Sequence, residues 1–440
     1  MKLKSTALMA SLTFFAAAVS AAPKKAPPKP AAKPAVTAPA APVAAAPAAA
    51  PAAEEAPEGL YLKQIKLGKG FEKDIYLKMG GYVDAYYAYH FSSGADTRAA
   101  APYDGYAGGN LGTSTASTGR VFESAGQQFS LGLIQTKFEV GNEDWQVVAD
   151  LVHGPNAEQT NFNNFRGGAT GPTSTTSTAI KQAYISAKLI DNLKITAGQF
   201  GTHIGYEVVE SYQNPNYMLG YLFGYGPFYH TGVKLDYTLF GGKVGLMGGV
   251  VNGWDLQYDN NKDKTIIGQI SLKPTSSFSV FINYAGGNES GTNGVGATGG
   301  MRHIGDLVVQ YQVTKMIKVG INVVYGEDKK DTNTAAATWG GAAGYLTVAP
   351  TDWLSFSYRA DYYDDRKGAR GLLAVKDSTG AVIANNKVLG HTLTTTIAMY
   401  GGHFLIRPEV KYDLAENAIF GAGAAQKNNV TALIAFTGVY

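Results

Sequence analysis

Polar and apolar residues alternate with a period of two along most of the chain. In 429–440, for example, Val430 and Ile434 lie on one face of an extended strand and Asn429 and Thr431 on the other. Segments of roughly ten residues with this alternation are typical of strands that cross an outer membrane, with one face against lipid and one against water. The pattern therefore predicts an all-β fold.

About sixteen such segments follow one another, an even number, as bacterial single-chain barrels have. The predicted strands are Tyr76–Phe91, Gln127–Val140, Trp145–His153, Ile180–Leu189, Leu193–Gly201, Phe228–Leu239, Lys243–Trp254, Thr265–Lys273, Ser277–Tyr284, His303–Val313, Ile317–Gly326, Trp339–Val348, Trp353–Tyr363, Val388–Tyr400, Phe404–Asp413 and Asn429–Tyr440. They predict a transmembrane antiparallel β-barrel over residues 76–440, large enough to enclose a water-filled channel.

Short turns and long loops alternate between these strands. The longest loops are 92–125, 154–179, 202–227 and 364–387. Outer-membrane barrels have short turns on the periplasmic side and long loops outside. All four tryptophans fall at predicted strand ends, where interfacial girdles place aromatic side chains, and they are Trp145, Trp254, Trp339 and Trp353. The chain ends on Tyr440, which fits either an assembly signal or a lipid-facing girdle residue.

The N-terminal part of the chain has a different composition. Residues 1–21 combine Lys2 and Lys4 with an apolar stretch and small residues, which predicts a secretory signal peptide cleaved after Ala21. Residues 22–58 are almost entirely Ala, Pro and Lys, which predicts a semi-rigid periplasmic linker. Residues 59–75 mix apolar residues and lysines and allow no assignment.

Composition excludes several classes of protein. The 440 residues include no Cys, which excludes disulfide scaffolds and Cys-ligated metal sites. The net charge of +3 argues against a nucleic-acid partner. After the N-terminus no run of about 18 apolar residues occurs, which excludes a helical membrane protein. The sequence predicts no cofactor and no metal site.

The third long loop, His203–Pro227, is rich in Tyr, Glu and apolar residues, which predicts that it folds into the barrel. On a ring of about sixteen strands it would face the thirteenth to fifteenth strands. Its acids would then oppose bases of the wall across the pore and create a transverse field that orders ions. The expected pore-lining and constriction residues are Glu207, Glu210, Lys234, Lys318, Arg359, Asp361, Arg407, Glu409 and Lys411. Pro408 interrupts a regular strand and predicts a bulge there.

Three short motifs occur in order along the barrel: 81–87 (GYVDAYY), 214–217 (NPNY) leading to 226–232 (GPFYHTG), and 406–413 (IRPEVKYD). They resemble the outer-membrane β-barrel porins called OmpL-like, over roughly residues 76–440. The linker is no part of the family's pattern, and Lys411 stands where an Arg is more typical. The resemblance implies a porin and leaves open an association of three barrels.

Together these features predict a porin in the outer membrane of a Gram-negative bacterium, with its N-terminal linker in the periplasm. It would be a passive diffusion channel for ions and small hydrophilic solutes, surrounded by outer-membrane lipid and lipopolysaccharide. Two alternatives stay open, a barrel enzyme of the hydrolase type and a surface adhesin. The seven histidines are scattered and no motif links them to a nucleophile, so the prediction is that the chain is not an enzyme.

Overall fold

A computed structural model describes most of the chain beyond residue 62. The described residues are 63–70, 73–91, 116–117, 120–123, 126–161, 179–259, 261–289, 300–329, 335–370, 375–376, 382–422 and 425–440. The predicted signal peptide and the linker, 1–21 and 22–58, lie outside the described residues.

Sixteen long strands form one antiparallel sheet that closes on itself. They are β1 Lys73–His90, β2 Gln128–Gly141, β3 Trp145–His153, β4 Ile180–Ile190, β5 Leu193–Gly201, β6 Tyr229–Leu239, β7 Val244–Val251, β8 Thr265–Thr275, β9 Phe278–Asn288, β10 Met301–Gln312, β11 Ile317–Asp328, β12 Ala337–Thr351, β13 Leu354–Asp364, β14 Lys387–Met399, β15 Phe404–Ala415 and β16 Asn428–Val439. Each strand pairs with the next, and β16 pairs with β1. The barrel and its sixteen strands are confirmed, with strand ends shifted by up to four residues.

Shorter elements decorate the barrel. The strand Lys63–Gly70 pairs with the first part of β1, so the segment that had no assignment contains a β-hairpin. The remaining elements are the paired strands Ala116–Ser117 and Gly421–Ala422, the paired strands Val375–Lys376 and Val382–Ala384, the helices α1 Pro155–Thr160 and α2 Tyr221–Gly224, and the 3-10 helices Ser211–Gln213, Phe240–Gly242 and Tyr400–Gly402. Within the described ranges, no helix is long and apolar enough to cross a membrane.

Two of the short turns depend on glycine. Gly241 and Gly401 have φ of 64° and 71°, in the left-handed region that glycine adopts without steric cost. Each is followed by a second glycine with positive φ, which lets the chain reverse between β6 and β7 and between β14 and β15. The tight turns at this rim therefore follow directly from the Gly-Gly pairs in the sequence.

Tyr440 stabilises the seam between β16 and β1 by hydrogen bonds. Gly81 and Tyr440 exchange two backbone hydrogen bonds of 2.8 and 2.9 Å, and the Tyr440 hydroxyl donates to the carbonyl oxygen of Gln135 at 2.8 Å. A Cβ atom at Gly81 would lie 3.0 Å from the Tyr440 hydroxyl and 2.0 Å from that carbonyl oxygen. The seam thus needs glycine at position 81 so that Tyr440 can reach across β1 to β2.

The alternation of the strands separates two faces of the wall. On β6, Val233 and Leu235 point outward and are 45% and 42% exposed, whereas His230 and Lys234 point inward and are buried. In a membrane the outward aliphatic side chains lie against lipid, so their exposure carries no hydrophobic cost. The inward side chains line the lumen.

Two of the four tryptophans do not belong to a girdle, so that prediction was wrong for them. Trp254 and Trp339 are buried, their rings lie 5.9 Å apart, and the Arg370 guanidinium lies 4.9 and 5.5 Å from the two rings. The reason is that β7 ends before Trp254, which joins the loop above, and that Trp339 occupies an inward position of β12. Trp145 and Trp353 do lie at strand ends, and Trp353 is 55% exposed.

Candidate functional site

The connection between β5 and β6 turns into the barrel, as its composition predicted. This segment, residues 202–228, is called the inner loop. The Ser211 hydroxyl donates to Asp84 of β1 at 2.6 Å, and the Gly205 N–H donates to Asp306 of β10 at 3.1 Å. Further contacts reach β13 and β15. The inner loop therefore touches strands on several sides of the lumen.

Arg359 of β13 forms the first anchor of the inner loop. Its guanidinium pairs with the Glu207 carboxylate of the loop and with Asp361 of its own strand, the latter at 3.2 Å. It also donates to the carbonyl oxygen of Met218 at 2.8 Å. Arg359 is fully buried, so this geometry must satisfy its charge inside the protein. The ion pair ties the loop to the wall.

Arg407 and Glu409 of β15 form the second anchor. Arg407 donates to three carbonyl oxygens of the inner loop, those of Ser211 at 2.5 Å, Asn214 at 2.8 Å and Pro215 at 3.0 Å. Glu409 accepts two N–H bonds from the loop, from Tyr217 at 2.6 Å and Met218 at 2.8 Å. The ladder to β14 has a gap at Pro408, which has no N–H to donate, but its register is the same on both sides, so the predicted bulge is absent there. β15 thus binds the backbone of the inner loop through a side-chain donor, Arg407, and a side-chain acceptor, Glu409.

The third anchor lies near β2, β3 and β4. Lys181 forms ion pairs with Glu210 of the inner loop and with Asp150, the latter at 3.3 Å. Gln135 donates to Glu210 at 2.9 Å and to Asp150 at 2.8 Å. Sequence reasoning missed Lys181, because strict alternation turns it to the lipid when Gln182 faces inward. A register shift opposite Asp150 turns both side chains inward.

Aromatic side chains fill the space between the loop and the wall. The rings of Tyr206 and Tyr345 stack with centroids 4.0 Å apart, and Tyr225 stacks on Tyr363 at 4.3 Å. All four side chains are buried. We call the inner loop, its three anchors and these stacked tyrosines together the packed layer. It forms a dense section of the lumen.

Carboxylates outnumber bases in the packed layer, among the residues that the structure describes. The buried carboxylates are Asp84, Glu123, Asp150, Glu207, Glu210, Asp306, Asp361, Glu409 and Asp413. The basic side chains among them are Arg120, Lys181, Arg359, Arg407 and Lys411. Lys411 lies 3.1 Å from Asp413 and 3.8 Å from Asp361. The layer has a surplus of negative charge when its carboxyl groups are ionised.

The comparisons with known proteins agree with this architecture. A family model described as "Putative beta-barrel porin-2, OmpL-like" matches residues 76–439. The chain belongs to this porin family. It is thus an integral outer-membrane barrel, and the predicted resemblance is confirmed. No curated protein matches the sequence.

One solved porin structure shares the fold with this porin at low sequence identity, and two further outer-membrane proteins are similar to it at lower TM-scores. An anion-selective porin from Comamonas acidovorans has a TM-score of 0.52 and 10% identity, and the match covers 83% of this chain and 100% of that one. The outer-membrane channel DcaP of Acinetobacter baumannii has a TM-score of 0.45 and 12% identity, and the match covers 82% of this chain and 97% of that one. OmpT of Vibrio cholerae has a TM-score of 0.48 and 11% identity, and the match covers 86% of this chain and 100% of that one. The likeness to the Comamonas acidovorans porin shows the fold of the barrel.

The porin brings some of its sequence-predicted residues together and leaves others apart. Glu207, Arg359, Asp361 and Lys411 form one buried group, Arg407 and Glu409 bind the loop backbone, and Glu210 belongs to the third anchor. The acids and bases touch, whereas the sequence placed them on opposite sides of an open passage. The inner loop is long enough to carry its acids up to the wall, so no transverse gap separates Glu207 from Arg359.

Lys234 and Lys318 lie away from the three anchors. Lys234 of β6 pairs with Asp236 at 3.1 Å, and Lys318 lies at the start of β11, next to a short turn. Both are inward residues below the packed layer, on the side of the short turns. In the part of the porin that the structure describes, no group of three or more His, Asp or Glu side chains could hold a metal ion.

A buried carboxyl group holds an outer loop of the porin over the inner loop. Asp255 lies in the connection between β7 and β8, and its Oδ1 accepts N–H bonds from Phe228 at 2.5 Å and Tyr229 at 3.2 Å. Its Oδ2 is buried and has no hydrogen-bond partner among the described residues. Burial raises the pKa of Asp255 to about 7. The unpartnered Oδ2 is a natural position for the proton.

Docking of this loop should weaken as pH rises from about 4 to about 7. The carboxyl of an undocked Asp has a pKa of about 4, so it releases its proton first, and each pH unit costs the docked form about 1.4 kcal/mol. Above pH 7 the effect levels off. Because Trp254 is adjacent, tryptophan fluorescence should show the transition in the wild type. Asp255→Asn should lack it, and an identical transition in both proteins would contradict the assignment.

Proposed function

We propose that this porin is a passive diffusion channel for ions and small hydrophilic solutes, with the packed layer as its constriction. The observation that carries the proposal is the attachment of the inner loop to three parts of the wall by buried charged side chains. An inner loop held in this way narrows a barrel of a size that otherwise encloses a water-filled channel. Solutes would pass the constriction according to size and charge.

In this proposal the predicted residues have different tasks. Glu207, Glu210 and Arg359 fix the position of the inner loop, and the carboxylate surplus around them sets the field at the constriction. Lys234 and Lys318 line the wider passage below it.

The long loops lie outside the cell, and the N-terminal linker lies in the periplasm. The proposal gives the barrel no catalytic role and no cofactor. Lipid and lipopolysaccharide surround it, and three barrels associate.

Single-channel recording of refolded protein in a planar bilayer tests the proposal. Because the side chains of the packed layer are buried, we expect discrete steps of small conductance. Protein that has been boiled before addition is the control and should give none. A folded barrel, recognised by its heat-modifiable migration in gel electrophoresis, that never produces steps would exclude a diffusion channel.

A further inference from the structure

Lysines dominate the lumen face between the packed layer and the short turns. The inward positions of this region hold Lys78, Lys137, Lys188, Lys194, Lys234, Lys273 and Lys318. Among the described residues, the carboxylates near these lysines are Glu139, which pairs with Lys137, Asp236, which pairs with Lys234, and the turn residue Asp144, which lies 3.8 Å from Lys188. We call this region the basic vestibule. Its net charge is strongly positive.

Some of these lysines are placed where their charges repel. Lys188 of β4 and Lys194 of β5 lie directly opposite each other in the ladder, on the lumen face. Like charges in directly opposed positions of a sheet destabilise it. Lys234 of β6 is the diagonal neighbour of Lys194 on the same face of the ladder. Asp236, opposite Lys194, already binds Lys234 at 3.1 Å, so one carboxylate serves two lysines. An anion between these side chains would relieve the repulsion.

Strands β8 to β14 supply further charge and hydrogen-bonding groups to the vestibule. Lys273 of β8 lies 5.7 Å from the inward ring of Phe281, and Lys318 of β11 lies opposite Gln312 and Thr347. Besides Phe281, the neutral inward residues of these strands include the polar side chains of Ser271, Ser279, Gln310, Thr347, Ser355 and Thr396. Hydroxyl and amide groups beside ammonium groups suit a solute that carries charged oxygens.

We infer that the basic vestibule is a binding and selection site for small solutes with two or more negative charges, such as phosphate esters and multiply charged carboxylates. The inference rests on the proposed channel function and names the class of solute. Walls of low dielectric constant focus the field of the lysines and raise the local concentration of anions. Because the lysines lie around the passage on several strands, a solute with several charges can contact more than one of them.

Ion selectivity tests the inference in a conducting barrel. Under a potassium chloride gradient at low salt, the wild type should prefer chloride. In the variant Lys188→Gln/Lys194→Gln/Lys318→Gln the ratio of chloride to potassium permeability should fall about threefold or more, since charged linings change local ion concentrations by such factors. Lys315→Gln is the matched control, because Lys315 is exposed in a short turn at the same rim. Preference for potassium in the wild type, or no difference between triple variant and control, would overturn the inference.

Binding of inorganic pyrophosphate gives a second and independent test. Titration calorimetry on the folded barrel in nonionic detergent should show binding that weakens about tenfold in the triple variant, because charge pairs in a partly desolvated site contribute this much. Lys194→Gln alone serves if the triple variant does not fold. A barrel that binds pyrophosphate but never conducts would contradict the proposed channel and keep the vestibule. Equal affinity in wild type and variants would exclude the vestibule as the site.

Discussion

Replacing Arg359 with methionine should raise the single-channel conductance several-fold. The substitution leaves Glu207 and Asp361 buried without the guanidinium that both of them contact. Breaking a buried ion pair from one side costs about 3–5 kcal/mol. A cost of this size shifts the population of the inner loop toward positions away from the wall. Recordings of wild type and Arg359→Met in the same bilayer system measure the effect, and the ion preference of the variant should shift from chloride toward potassium.

Two controls separate loop release from a general loss of charge. Arg366 lies just beyond the end of β13, is exposed and pairs with Asp364. Arg366→Met should therefore leave conductance unchanged. Adding Glu207→Gln to Arg359→Met removes one of the stranded carboxylates and should return conductance part of the way to wild type. If Arg359→Met conducts like the wild type, the ion pair does not hold the constriction.

Replacing Tyr440 with alanine should sharply reduce the yield of folded barrel. The ring and hydroxyl of Tyr440 connect β16 across β1 to β2 through the Gln135 carbonyl oxygen and lie beside the Thr136 hydroxyl at 3.1 Å. Loss of this side chain removes about 1 kcal/mol of hydrogen bonding and about 1–2 kcal/mol of ring burial. The fraction of heat-modifiable protein after refolding, followed by urea titration of the folded material, measures the effect.

The variant Tyr440→Phe distinguishes the two contributions. It keeps the ring and loses only the hydroxyl contacts, so its folding yield should lie between those of wild type and Tyr440→Ala. The backbone bonds to Gly81 remain in both variants. A normal yield for Tyr440→Ala would mean that the backbone pairing closes the seam without help from the side chain.

The strands could be predicted because each one has an alternating pattern that lipid and water impose independently of the rest of the molecule. The Gly-Gly turns and the gap in the ladder at Pro408 follow from local backbone chemistry, but the bulge expected at Pro408 does not form, because the strands on both sides keep one register. The inward course of the inner loop was readable from its tyrosines and carboxylates. These features depend on nearby residues only.

Other features depend on contacts between distant parts of the chain. Lys181 faces inward because of a register shift opposite Asp150, which no single strand reveals. Trp254 and Trp339 are buried against each other and against Arg370 of a distant loop, although their positions at predicted strand ends are typical of a girdle. The contact between Glu207 and Arg359 depends on how far the loop extends into the barrel, and composition gives no measure of that distance.

When its carboxyl groups are ionised, the packed layer is negative and the basic vestibule is positive, so the fixed charge of the passage changes sign along its axis. Such a channel acts as a weak diode: at low salt its current–voltage curve should bend, with more current at one polarity than at the other. The curvature should fade when the screening length falls from about 10 Å at 0.1 M to about 3 Å at 1 M salt. Because barrels inserted in one direction all bend the curve the same way, this rectification would reveal which rim faces which side of the bilayer.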